Sequence, residues 1–190
     1  MNDRWGMIRI ALGRLQVLPM PAHPRAVRAG VVAMCFGGFV AGISSMQLAM
    51  VGMQRLFLRA MPHQPGDEWF RTTMQSMAEL MSIYMPAFVV LGATMLWQGN
   101  RLRKGARDAA SWLVALGLVA MGLVAVYGRD SYAGPMRLFE QGPRNPTLPV
   151  DPHTWSLISL VGGGAMAFAP LLAVIILAWQ ARSAPQESSG

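Results

Sequence analysis

One carboxylate and a row of thioethers are the side chains of this chain whose type and position suggest chemistry. They share the stretch "MQSMAELMSIYMP" (74–86), at the start of an apolar run. Placed on a helix at 100° per residue, Met74, Met77, Met81 and Met85 fall within about 80° of one another. Thr72, Gln75, Ser76, Glu79, Ser82 and Pro86 gather on the opposite side. Methionine and glutamate are therefore neighbours in sequence and not in space, so no single site on one helix uses both.

Each face has its own reading. Thioethers suit Cu(I), and Met46, Met50 and Met53 form a second methionine face, followed by Met61 and His63. No CxxC pair and no histidine cluster accompanies them, so no metal site is expected, and methionine reads as a flexible packing residue. Glu79 is the one ionisable residue placed inside an apolar segment. Intramembrane carboxylates face a bundle interior or a wet cavity, which makes Glu79 with Gln75, Ser76, Gln47 and Gln54 a candidate pocket or transport set. The alternative is an interfacial carboxylate paired with Arg71 or Arg55. Cys35 stands alone in an apolar run, which excludes an intrachain disulfide. No Ser-His-Asp set, carboxylate pair, haem-ligating intramembrane histidine or phosphate-binding glycine loop occurs. Neither catalytic residues nor a cofactor are expected.

The elements that must position these residues are membrane spans. The 190 residues are 53% hydrophobic and only 13% charged, with mean hydropathy +0.35, against roughly 25% charged in soluble domains. The net charge of +7 does not mark a nucleic-acid binder, because the basic residues lie between apolar runs rather than in one aromatic-interleaved patch. Four segments, near 28–53, 76–98, 109–128 and 155–179, are long enough to cross about 30 Å of hydrocarbon as helices. The first is expected to continue as helix to Ala60, before Pro62.

Residues 1–24 read as an N-terminal arm lying on the membrane surface (5–18) followed by a proline-rich linker, and 181–190 as a disordered tail. Residues 25–180 form the transmembrane domain. The third loop, 129–153, holds five prolines and is expected to be extended and external. The arm, second loop and tail carry ten basic residues, and the first and third loops carry six. The positive-inside rule then places both termini in the cytoplasm. All six tryptophans fall at expected interfaces.

Two features speak of packing. Ala29, Ala33, Gly37, Ala41, Ser45 and Ala49 recur every four residues, with Gly38 and Gly42 alongside. Small residues let helices approach closely in lipid, so Gly37, Gly38, Ala41, Gly42 and Ser45 predict a close crossing without naming its partner. "GGGAMAFAP" (162–170) weakens the fourth span. With Gly163 and Pro170 it reads either as a broken helix lining a site or as plain close packing. A faint echo, "RLF" at 55–57 and 137–139, is matched by Pro-to-"WQ" spacings at 86–98 and 170–180, and chance is its favoured explanation.

The expected fold is all-α: an integral membrane bundle of four transmembrane helices in a bacterial inner membrane. The expected role is a non-enzymatic accessory or structural component of a membrane complex, contacting lipid and either a second copy or a partner membrane protein. The alternative is a small-solute or proton-coupled transporter using Glu79, Pro86 and a broken fourth helix.

Overall fold

The computed structural model describes residues 23–62, 68–140 and 152–183. The surface arm at 5–18, His63, and most of the linker and tail lie outside these residues. Helix α1 runs Pro24–Ala60, α2 Glu68–Arg103, α3 Asp108–Ser131, α4 Arg137–Glu140 and α5 Pro152–Arg182, with a π-helical turn at Tyr132–Met136 between α3 and α4. There is no strand among the described residues. Four helices are long and apolar enough to cross a membrane, so the described residues form the all-helical fold of a multi-pass membrane protein.

Each boundary has a local cause. Pro24 opens α1, where its missing N–H costs nothing, and the His23 ring accepts from the Arg25 amide at 3.3 Å. At the other end of α1, the Arg71 guanidinium donates to the carbonyls of Leu58, Met61 and Pro62, which the helix itself leaves unpaired. Gly105 stops α2 with φ 93°. Its amide bonds Leu102 O, and that of Ala106 bonds Arg101 O, closing the left-handed cap that glycine adopts without strain. The resulting turn is short, so α2 and α3 are antiparallel neighbours. Arg101 bridges them to Asp108 at 2.7 Å.

One expectation and one of the two readings of the fourth span need correction. Residues 129–140 are helical and not extended. Pro135 cannot donate an amide hydrogen, and the wider π turn carries the chain past it, as such single-turn bulges do inside α-helices. Trp69 Nε1 then holds the segment by donating to Leu138 O. The fourth span is likewise not broken, because α5 is continuous through Gly162, Gly163, Gly164 and Pro170. A proline removes one backbone bond, which membrane helices tolerate, and Pro86 sits inside α2 in the same way.

The four long helices form a ring in which α1 packs on α2, α2 on α3, α3 on α5 and α5 on α1. Gly117 of α3 meets Ile175 of α5, and Gly128 meets Leu160, so α3 and α5 are also antiparallel. Trp97, Trp112 and Trp179 therefore share one end, together with Arg101, Arg103, Lys104 and Arg182. This is the basic end of the bundle. All three indoles are about half exposed, as suits residues at a lipid interface. Trp97 and Trp179 carry Arg101 and Arg182 over their rings.

The core sits toward the basic end. Ala33, Met95, Leu113, Leu171, Val174 and Ala178 are almost completely buried there. At about 1.5 Å per residue, the 37 residues of α1 and 36 of α2 span roughly 54–56 Å, against about 30 Å of hydrocarbon. The α1–α2 hairpin therefore projects beyond the hydrocarbon at both ends.

Candidate functional site

The α1–α2 contact is a backbone crossing. A methyl group placed on Gly37 would lie 2.6 Å from Gly92 O, and one on Gly92 would lie 2.6 Å from Gly37 O. Gly30 and Gly99 repeat the arrangement one heptad away, at 2.6 and 2.7 Å. Three heptads from Gly37 and Gly92, toward the far end, the same register places Leu58 against Arg71. Between them Ser44, Val51, Ala78 and Met85 are buried. This seven-residue step keeps one seam facing the partner over the whole length of both helices. The close crossing is thus with α2, through Gly92 and Gly99. Their own spacing, equal to that of Gly30 and Gly37, was the available signal in the sequence.

The small residues of α1 divide between two environments. Gly37 lies in the crossing, Ala41 Cβ would be 3.1 Å from a methyl on Gly92, and Gly38 lies 3.4 Å from Leu96 Cδ1 by the same measure. Gly42 faces open space, and Ser45 and Ala49 are exposed. The ridge turns away from α2 because its four-residue step outruns the 3.6-residue helical turn.

The polar residues on the outer part of α2 also separate. Glu79 and Gln75 are exposed, and Glu79 has no ion pair among the described residues. Arg71 is committed to the α1 carbonyls, and Arg55 donates to Ser82 Oγ at 2.8 Å, so neither arginine pairs with Glu79. Ser76 packs near Gly134 of the π turn. Gln54 donates to Met74 Sδ at 3.5 Å, inside the α1–α2 seam. Met85 is buried in that seam, whereas Met46, Met50 and Met53 are exposed on another face of α1. The structure does not bring the two methionine sets together.

The group that crosses between helix pairs is one the hydropathy pattern assigns to a loop. Asp130, on the last turn of α3, accepts from the Tyr84 hydroxyl of α2. Tyr127 stands edge-on to both Tyr84 and Phe88, with centroids 5.4 and 5.9 Å apart, a favoured aromatic geometry. At the far end His153 Nδ1 lies 3.2 Å from Glu140 Oε1, joining α5 to α4.

Above the core, the ring opens into a cavity of about 590 Å³ bordered by all four long helices. Its floor is Leu91, Ala120 and Leu171, which also belong to the core. Phe39 and Ile43 of α1 and Met166 of α5 stand at the rim, more than two-fifths exposed, so the cavity opens sideways between α1 and α5. Gly163 and Gly164 border it with empty space where a side chain would stand, as at Gly162. The glycine run therefore does not serve close packing. Its lining is apolar apart from a few groups that include Ser44, Gln47, Ser131 and Arg129. Of the expected pocket residues, Gln47 and Gly163 reach this cavity; Glu79, Gln75, Ser76, Pro86 and Pro170 do not border it.

Comparison with protein-family models, with curated proteins and with solved structures finds no match to this chain.

Proposed function

We propose that this protein is a non-enzymatic, accessory or structural component of a membrane complex, seated in a bacterial inner membrane with both termini in the cytoplasm. The observation that carries the reading is an apolar stripe on α1. Phe39, Ile43, Met46, Met50, Met53 and Phe57 follow steps of four and three residues, and each is at least two-fifths exposed. The Gly30–Gly99 register sets Val32 level with Trp97 at the basic end. Met53 is then about 32 Å further along the helix, past the roughly 30 Å of hydrocarbon. Met53, Leu56 and Phe57, each more than half exposed, would then stand at and beyond the edge of the hydrocarbon, in the polar headgroup region. A contiguous apolar patch carried out of the hydrocarbon into polar surroundings marks an interaction surface.

The transport alternative is weaker, because Glu79, Gln75 and Pro86 are exposed and do not converge with Gln47 and Gly163 on one path. The test is isolation of the wild type and Phe57→Glu in mild detergent. Wild type should migrate as a larger assembly, or carry a partner that Phe57→Glu loses while its helices stay folded. A monomeric wild type without a co-purifying protein would defeat the accessory reading. Orientation is checked separately. Reporter fusions after Lys104 should report the cytoplasm, and those near Pro146 the opposite side.

A further inference from the structure

We propose that the side-opening cavity is a binding site for one anionic phospholipid, one of its two acyl chains lying between α1 and α5 and its phosphate at Arg129. Three observations converge on this occupant. The first is shape and lining. A cavity of about 590 Å³ falls within the 300–1,000 Å³ range of ligand pockets, and its rim of Phe39, Ile43 and Met166 opens where hydrocarbon would stand. Water has few partners in so apolar a space, and an alkyl chain can enter sideways.

The second is depth. Leu171, on the floor, is eight residues before Trp179, or about 12 Å along the helix from the interface at the basic end. Arg129 is seventeen residues beyond Trp112, or about 26 Å from that interface. Against a hydrocarbon thickness of about 30 Å, the cavity reaches from mid-membrane to the far interface. Those limits match a chain hanging from a headgroup in the far leaflet.

The third is charge. Arg129 borders the cavity and takes part in no ion pair among the described residues. Its planar guanidinium can hold a phosphate through two parallel hydrogen bonds. Ser131, 9% exposed, also borders the cavity, and its Oγ has no hydrogen-bond partner among the described residues. A buried hydroxyl left unpaired is unfavourable, and a headgroup oxygen would satisfy it. The placement of Gly163 and Gly164 follows, since larger residues there would occupy the space of the chain.

The test uses the full chain, stripped of lipid in detergent, titrated with phosphatidylglycerol or phosphatidylcholine bearing identical chains. Thermal midpoint and phosphorus retained after gel filtration are both read. Wild type should retain phosphatidylglycerol in preference to phosphatidylcholine, with a midpoint that rises with its concentration. Arg129→Gln should weaken phosphatidylglycerol about tenfold, the loss expected for a charge-assisted hydrogen bond, and abolish the preference. Gly164→Leu should reduce both lipids by filling the chain site, and Met166→Trp, at the rim, serves the same purpose if Gly164→Leu fails to fold. Arg59→Gln, which does not border the cavity, should change nothing. Equal retention by wild type, Arg129→Gln and the cavity-filling variants would overturn the proposal. So would equal protection by inorganic phosphate alone, or a partner helix crosslinking to a cysteine at Met166 in native membranes. Phe57→Glu, which tests the accessory role, leaves this site intact, so the two readings can fail separately.

Discussion

The α1–α2 pair and the α3–α5 pair differ in what stands at the contact. In the first, glycine meets glycine at two levels and backbone touches backbone, and the seam continues past the membrane to Leu58 and Arg71. In the second, glycine meets side chains, Gly117 receiving Ile175 closely and Gly128 facing Leu160 at ordinary contact distance. The tightest packing ends near Leu171, and beyond it the pair opens into the cavity before Gly128 meets Leu160. Lipid supplies no hydrophobic force between helices, so association rests on van der Waals contact and hydrogen bonds. Close backbone approach gives that contact over a long seam. A side-chain contact holds only where the side chains interlock, and it leaves room elsewhere. The rigid pair serves as the frame, and the looser pair bears the cavity.

Substitution in the glycine seam should have the largest effect. Gly37→Ala or Gly92→Ala puts a methyl 2.6 Å from a backbone oxygen that no rotamer change can move. Overpacking of this kind costs about 1–3 kcal/mol, and Gly37→Leu should prevent stable folding. Resistance to SDS unfolding, followed by circular dichroism, reads the loss. Gly42→Leu, which meets open space, is the control and should leave the fold intact while testing assembly. If Gly37→Ala and Gly42→Ala proved equally mild, the seam would not be the frame.

Arg71→Met comes next. It strips three carbonyls at the end of α1 of their donor. Hydrogen bonds from a charged group contribute about 1.5–3 kcal/mol, and partial exposure at this end places the loss near the lower figure. Faster proteolysis between residues 58 and 68 should accompany it, with the helix pair still formed below.

Sequence reading captured what depends on hydropathy and period. Four spans, the tryptophans of the basic end and the close approach at Gly37 and Ala41 follow from runs of apolar and small residues. The partner of that approach did not follow, because two glycines seven residues apart, Gly92 and Gly99, acquire meaning only in an antiparallel register. Helix beyond residue 128 was hidden by Arg129, Asp130 and Pro135, which read locally as a loop although tertiary bonds from Tyr84 and Trp69 hold the segment. The cavity was equally hidden. Glycines pressed against a neighbour and glycines bordering a void have the same composition, and Gly37 and Gly163 differ only in what faces them.

Gly117→Ala should cost less than the α1–α2 substitutions, about 1 kcal/mol. Its methyl would fall 2.5 Å from Ile175 Cγ1, but that obstacle is a side chain. Ile175→Ala clears it, so the double variant should be more stable than additivity predicts, by the logic of a double-mutant cycle. No such rescue exists for Gly37→Ala, where the obstacle is backbone. Rescue at one pair and not the other would sharpen the contrast between them.

The smallest effect is expected where the two pairs are joined by a polar bond. Tyr84 of α2 donates to Asp130 of α3, and its ring rests edge-on to Tyr127. Tyr84→Phe removes the hydroxyl and keeps the ring. Interhelical hydrogen bonds in membrane proteins contribute about 0.6 kcal/mol on average, because the unfolded chain in the membrane also finds partners. Asp130 stands on the last turn of α3, near the far interface, where water can replace the lost donor. The SDS midpoint should therefore shift by well under half the Gly37→Ala shift, while Tyr84→Ala, which also removes the ring contact, should cost more. If Tyr84→Phe matched Gly37→Ala, the ring of helices would be held by this polar tie between the pairs, and backbone contact inside α1–α2 could no longer be its frame.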